Sequence, residues 1–187
     1  MAGPQITEMV QNPLAVSFPD FLRVFGEKME PILLAQPGML SIVTGVVVAP
    51  NGQHEPVAVS LTQWASLEAH DAFLKSPSAG PFFEVAKTLL TGPPTINHYK
   101  IGEVAPGSLR SRYSRIIKAS ALDGRKLSDG ATGNFGHCVE RPEQMAMVLF
   151  GDALHSVEGA SDIFEGVLEA FTVEWHIHHS NESVSRL

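Results

Sequence analysis

The feature that most restricts the fold is a pattern that occurs twice. Residues 55–76, EPVAVSLTQWASLEAHDAFLKS, and residues 143–166, EQMAMVLFGDALHSVEGASDIFEG, each read as an apolar strand followed by a helix. Each leads into a terminal strand, HYKI in the first half and WHIH in the second. Identity between the copies is weak, but the order of elements is the same. Strands have a side-chain period of two and helices of 3.6, so a repeated strand–helix–strand unit lays its helices across a sheet.

The first half is the fuller copy. Phe21, Leu22, Phe25, Met29, Ile32 and Leu33 form a helical stripe over about residues 19–35. Ser17 is its candidate N-cap, and Asp20 stands in for the capping-box acid. Pro31 lacks a backbone donor and clashes one turn back, so it must kink or divide this helix. MLSIVTGVVVAP reads as a strand, Asn51-Gly52 as a turn and EPVAVSLTQW as the partner strand. In that partner Val57, Val59 and Leu61 share one face, and Ala58, Ser60, Thr62 and Trp64 the other. Ser66 caps the next helix, TGPPT stops it, and INHYKIGEV is a strand. With a weak N-terminal strand added, the order is β-α-β-β-α-β, the ferredoxin-like arrangement of an α+β fold.

VAPGS, residues 104–108, is the best internal boundary and divides the chain into modules 1–105 and 106–187. Beyond it RYSRIIKAS, GNFGHCVE and QMAMVLFGDA read as strands. A helix is expected over SVEGASDIFEGVLEA, with Val157, Ala160, Phe164, Val167 and Leu168 on one side. The second module has no room for a full first helix and is a shortened copy.

Bulk properties narrow the function classes. Hydrophobic residues at 44% against 18% charged predict a globular body. The net charge of −7, without a basic run, argues against nucleic acid and anionic membrane as partners. Cys138 is the single cysteine, so no intrachain disulfide can form. No signal-peptide pattern and no membrane-length apolar run is read, and a cytoplasmic location is expected.

QPGMLSIVTGVVV, LTQWASLEAHDAFLKSP and the terminal HYKI strand together resemble the antibiotic biosynthesis monooxygenase-like proteins of the dimeric α/β-barrel superfamily. Val139-Glu140-Arg141-Pro142 and Ser156-Val157-Glu158 resemble the tandem-module versions found among fungal sequences. The resemblance implies two antiparallel sheets whose non-helical faces meet in a barrel, with helices outside. It also implies that the Ser60, Thr62 and Trp64 face lines the barrel lumen and binds substrate. Members include cofactor-independent oxygenases of aromatic polyketides, haem-degrading enzymes, cyclases and isomerases, so fold alone does not choose among them. In the haem-degrading members a Trp at this place is paired with a His further along the next helix. Phe73 and Leu74 stand there in this chain, and His70 comes earlier.

Candidate residues follow from strand parity and chemistry. His98 and Tyr99 are adjacent on a strand and must point to opposite faces. A cavity-facing His98 could abstract a phenolic or enolic proton near neutral pH, and Tyr99 is a candidate substrate contact. In FTVEWHIHH, residues 171–179, Phe171, Val173, Trp175 and Ile177 form the apolar face, with Thr172, Glu174, His176 and His178 opposite. Glu174 could orient His176 as a base, with His178 as a further contact. Three successive same-face positions span about 13 Å, too far for one ion, so a metal would need a ligand from another strand. No metal site is therefore expected. His54 and His70 read as surface residues, and Cys138 as a small core residue rather than a dyad partner of His137. No nucleotide, flavin or nicotinamide fingerprint occurs, so no cofactor is expected.

The expectation is a cofactor-independent oxygenase acting on a phenolic or anthrone-like polyketide. Base-assisted anion formation would let the substrate itself reduce dioxygen. A cyclase, dehydratase or isomerase using the same cavity, and a non-catalytic small-molecule-binding or stress-related barrel, are the alternatives. A homodimer is expected on the ground that the shortened half leaves a sheet edge or face to cover.

Overall fold

The computed structural model describes residues 5–101, 111–120, 133–154 and 166–180. Eight strands lie in it: β1 (Ile6–Pro13), β2 (Met39–Val48), β3 (His54–Trp64), β4 (Thr95–Tyr99), β5 (Tyr113–Ser120), β6 (Gly133–His137), β7 (Gln144–Gly151) and β8 (Val167–Ser180). They form one antiparallel sheet in the order β4-β1-β3-β2-β8-β5-β7-β6. Each half is numbered alike: the first runs 4-1-3-2, and the second repeats that order with β5 as its first strand. The α+β, ferredoxin-like barrel architecture thus stands.

The two ends of this sheet also meet. Tyr99 bridges Cys138 in antiparallel fashion. The Lys100 N–H donates to the His137 carbonyl at 3.0 Å, and the Val139 N–H to the His98 carbonyl at 2.7 Å. The barrel therefore closes within one chain, through a β2–β8 seam and a β4–β6 seam related by pseudo-two-fold symmetry. Among the described strands, no open edge remains of the kind on which the homodimer expectation rested.

A glycine marks each seam. A Cβ on Gly45 would lie 2.3 Å from the Glu174 carbonyl oxygen, and one on Gly136 would lie 2.3 Å from that of Lys100. No side chain fits at either position without moving the facing strand. The β2–β8 seam also holds a bulge, where Thr44 pairs with Ile177 but Gly45 with Trp175. His176 is the extra residue, and beyond it the alternation slips by one. His178 consequently pairs with Val43, a lumen position, while His179 reaches helix-side Glu30 at 2.6 Å. The side chain of His178 lies outside the described residues.

Four α-helices cover the outer face of the first half: α1 (Phe18–Val24), α2 (Glu30–Leu34), α3 (Leu67–Leu74) and α4 (Ala79–Leu89). Ser17 caps α1 as expected, accepting from the Asp20 N–H at 3.3 Å and donating to its carboxylate at 2.6 Å. Pro31 divides the stripe as expected. A π-helical turn, Phe25–Met29, absorbs the missing donor and leaves Pro31 in the first turn of α2. In the second half the boundary VAPGS and residues 156–165 of the expected helix lie outside the described residues. Val167 and Leu168 belong to β8 and are exposed, so that helix does not extend to them. Among the described residues, no helix is long and apolar enough to cross a membrane.

Strand parity sorts the core into two layers. Ile42, Val46, Ala58 and Trp64 pack outward against Phe21, Phe25 and Phe73. Met9, Val59, Leu61, Ile116, Val148 and Phe171 point inward and fill the barrel. The lumen is therefore a packed core and not the chamber the resemblance implied. Val59, Val148 and Ile116 are each 0% exposed, and burying such a side chain contributes about 1.5–3 kcal/mol. The repeat is also one residue out of phase when its glutamates are aligned, because Ala58 packs outward and Ala146 inward.

Candidate functional site

With the lumen solid, the open space lies on the other side of the first half-sheet, beneath the helices. A cavity of about 800 Å³ separates β1, β3 and β4 from the helices. Phe21, Phe25, Phe73, Phe82 and Phe83 supply its apolar walls, and Glu8, Ser60, Thr62, His70 and His98 its polar end. The even-numbered face of β3 thus lines a cavity as expected, but on the helix side and not in the lumen. Ser60 and Thr62 contribute to the wall, and the Ser60 hydroxyl also meets Thr44 Oγ1 at 3.1 Å. Trp64 is fully buried behind this wall, stacked on Phe73, and its Nε1–H donates to Glu8 Oε2 at 3.0 Å.

Glu8 and His70 were not anticipated as site residues. Glu8 lies on β1, opposite Thr62 on one side and His98 on the other. It accepts from Trp64 and lies 3.4 Å from His70 Nε2. Burial opposes ionisation of Glu8. The hydrogen bond and charge of His70, the Trp64 bond and the charge of His98 outweigh it and hold the carboxyl below its ordinary value. His70 is 5% exposed, which overturns its reading as a surface residue. It stands one helical turn before Phe73 on the buried face of α3, a spacing that marks it as inward-facing. Its ring meets Trp64 at 5.4 Å and His98 at 4.6 Å between centroids, so it is not too early in the helix to reach the indole.

His98 lines the cavity, and Tyr99 points the other way, as their adjacency requires. Tyr99 is 1% exposed inside the barrel, away from the cavity, and burial raises its phenol pKa. His98 is held from the second half. Glu140, in the turn after β6, accepts from the His98 backbone N–H at 3.1 Å and bonds Nδ1 of the ring. Glu140 also accepts from the Cys138 thiol at 3.2 Å. Partial burial opposes its charge, but the His98 and Cys138 bonds prevail and bring its pKa down to about 2. Cys138 is a buried core residue, as expected, and burial pushes its thiol up.

The consequence is chemical. In the neutral ring, a carboxylate on Nδ1 fixes the proton on that nitrogen and leaves Nε2 as an acceptor. His98 Nε2 and His70 Nδ1 are both buried without a hydrogen-bonding partner among the described residues. Glu8, His70 and His98 each present a ligand atom within 4.8 Å of the others, so this set could also hold a metal ion.

Glu174 and His176 are at a different place. They lie on the outer face of β8, near Phe18 of α1, and do not line the cavity. Glu174 Oε1 accepts two bonds from Arg112, at 2.9 and 2.7 Å. Its Oε2 lies 2.8 Å from His54 Nε2 and 4.0 Å from His176 Nε2. The expected pairing of Glu174 with His176 is thus loose, and His54, read as a surface residue, is the closer partner.

No family model matches the sequence, and no curated protein matches it. Among solved structures the fold is similar to that of a candidate monooxygenase from Lactobacillus acidophilus NCFM. That likeness has a TM-score of 0.64 and 13% identity, over 95% of this chain and 96% of the other. A candidate monooxygenase from Fusobacterium nucleatum has a TM-score of 0.65 and 6% identity, over 97% and 96%. An anthrone oxidase-like protein has a TM-score of 0.68 and 11% identity, over 96% and 95%. At these identities the likeness is one of fold.

Proposed function

We propose that the chain is a cofactor-independent oxygenase whose cavity binds a flat phenolic or anthrone-like substrate and whose base is His98. The observation that carries this reading is the His98 ring in the cavity lining, with Glu140 on Nδ1 and a buried Nε2 that has no hydrogen-bonding partner among the described residues. The cavity volume falls in the range of roughly 300–1,000 Å³ typical of small-molecule sites. Its five phenylalanines suit a planar ring system, and its polar end suits the oxygen atoms of one. The fold likeness to an anthrone oxidase-like protein supports the same substrate class.

In this reading His98 Nε2 takes a proton from the methylene or hydroxyl of the substrate. The carbanion or enolate so formed passes electrons to dioxygen, and a hydroperoxide forms at that carbon. Loss of water then leaves a ketone, so one oxygen atom enters the product and the other leaves as water. Ser60, Thr62 and the His70 ring are placed to stabilise the developing anion. Glu140 offsets the charge of the imidazolium without taking its proton.

A hydroxylated anthrone in an oxygen electrode tests this. One dioxygen should be consumed per product, and His98→Gln should lower kcat by about 10²–10⁴-fold. Unchanged turnover of a polyketide under strict anaerobiosis would replace oxygenation with cyclisation or isomerisation. Loss of turnover on chelation would replace the base with a metal held by Glu8, His70 and His98. Wild-type rates in His98→Gln would remove the assignment of the base.

A further inference from the structure

A second polar cluster, none of whose members lines the cavity, lies outside this mechanism. Its three members come from far apart in the chain, with His54 opening β3 and Glu174 and His176 on β8. A ring nitrogen of His54, a Glu174 carboxylate oxygen and a ring nitrogen of His176 all lie within 4.8 Å of one another. A single strand could not converge three ligands, as the sequence spacing shows. The β2–β8 seam removes that obstacle by bringing His54 across.

We propose that His54, Glu174 and His176 bind one divalent transition-metal ion of the zinc class, and that this ion fastens the β2–β3 hairpin of the first half to the last strand of the second. Two imidazoles and one carboxylate are a donor set this class of ion takes, with the fourth position left to solvent. At bond lengths near 2.0–2.1 Å, tetrahedral ligand atoms sit roughly 3.3 Å apart. The His54–Glu174 separation of 2.8 Å has to widen and the His176–Glu174 separation of 4.0 Å has to narrow. Each change is well under 1 Å, within the reach of side-chain rotation on partly exposed rings.

The surroundings are those of a supported site. Arg112 grips Oε1 with two bonds and leaves Oε2 directed at the imidazoles. Such an outer partner fixes a ligating carboxylate as one-armed, although its positive charge tempers the affinity. Phe18 packs edge-on against His176 at 5.0 Å and against His54 at 6.3 Å, shielding one side from water.

The test uses the untagged full chain, stripped with chelator and titrated with Zn²⁺ by calorimetry, with Co²⁺ as a spectroscopic probe. One ion per chain should bind, and Co²⁺ should give the intense visible bands of four-coordination. Saturation to about a hundredfold over Kd should raise Tm by about 5–10 °C. His54→Ala and His176→Ala, each checked for folding by circular dichroism, should weaken binding by at least about 30-fold. Glu8→Gln and His70→Gln should leave it within about twofold, since additivity holds for separate sites. No saturable uptake, or uptake unchanged in both histidine variants, overturns the proposal. Uptake lost instead in the Glu8 and His70 variants does so too, by locating the ion in the cavity.

Discussion

Replacing Gly136 by alanine tests barrel closure directly. The added Cβ would stand 2.3 Å from the Lys100 carbonyl oxygen, 2.4 Å from its carbon and 2.5 Å from the Ile101 nitrogen. All three are backbone atoms, so no rotamer change relieves the clash, and β6 must move by about 1 Å to reach ordinary contact. Overpacking of this kind costs about 1–3 kcal/mol. The shift also strains the two seam hydrogen bonds, from Lys100 to His137 and from Val139 to His98, each contributing about 1 kcal/mol. The expected loss is about 2–4 kcal/mol, or a Tm drop of roughly 5–15 °C for a chain of this size. Urea denaturation followed by far-ultraviolet circular dichroism should show the midpoint falling by about 1–2 M if the slope is near 2 kcal/mol/M. Because Glu140 hangs from the same seam, turnover should fall together with stability. A variant within about 0.5 kcal/mol of wild type would refute the closure argument, since an open β6 edge would accept the methyl group freely.

Other expectations can be checked with the same equipment. Gly45→Ala, at the pseudo-equivalent seam, should destabilise to a similar degree, about 2–4 kcal/mol in the same urea titration. Trp64→Phe keeps the stacking on Phe73 but strands the buried Glu8 carboxylate without one donor, and should cost about 1–3 kcal/mol. Glu140 ionises at about 2 in the folded chain against an ordinary 4.5. Its stabilisation is therefore complete above about pH 5 and is lost as pH falls from 4.5 toward 2. With its side chain 43% exposed, that contribution is about 1 kcal/mol after solvent screening. Glu140→Gln should remove that part of the acid limb and lower kcat by about 10–100-fold, the range for a partner that orients a functional imidazole.

Strand parity was legible in the sequence, but its sign was not. The split of Val57, Val59 and Leu61 from Ala58, Ser60, Thr62 and Trp64 is the one observed, as is that of Phe171, Val173 and Trp175 from Thr172, Glu174 and His176. Both faces of this half-sheet are buried, one by helices and one by the opposite strands, so composition does not say which is the lumen. That is why the cavity was expected on the wrong side of β3. His70 could have been found from its one-turn spacing to Phe73, a contact that adjacent Ala69 and Asp71 obscure. Glu8 carries a weaker signal, the alternation of Ile6, Glu8 and Val10 along the first strand. Glu140 and His54 carry no local signature, because each finds its partner only through a seam, at sequence separations of 42 and 120 residues.

Glu140 reaches His98 from the other half of the chain, and covalent linkage gives that loan a particular character. In a barrel assembled from two separate chains, dilution would dissociate the halves and withdraw the carboxylate, so turnover per molecule would sink as concentration fell. Here the lender is tethered to the borrower, and its effective local concentration is fixed by the peptide itself. The His98 ring is equally well supported at nanomolar and at millimolar levels of protein.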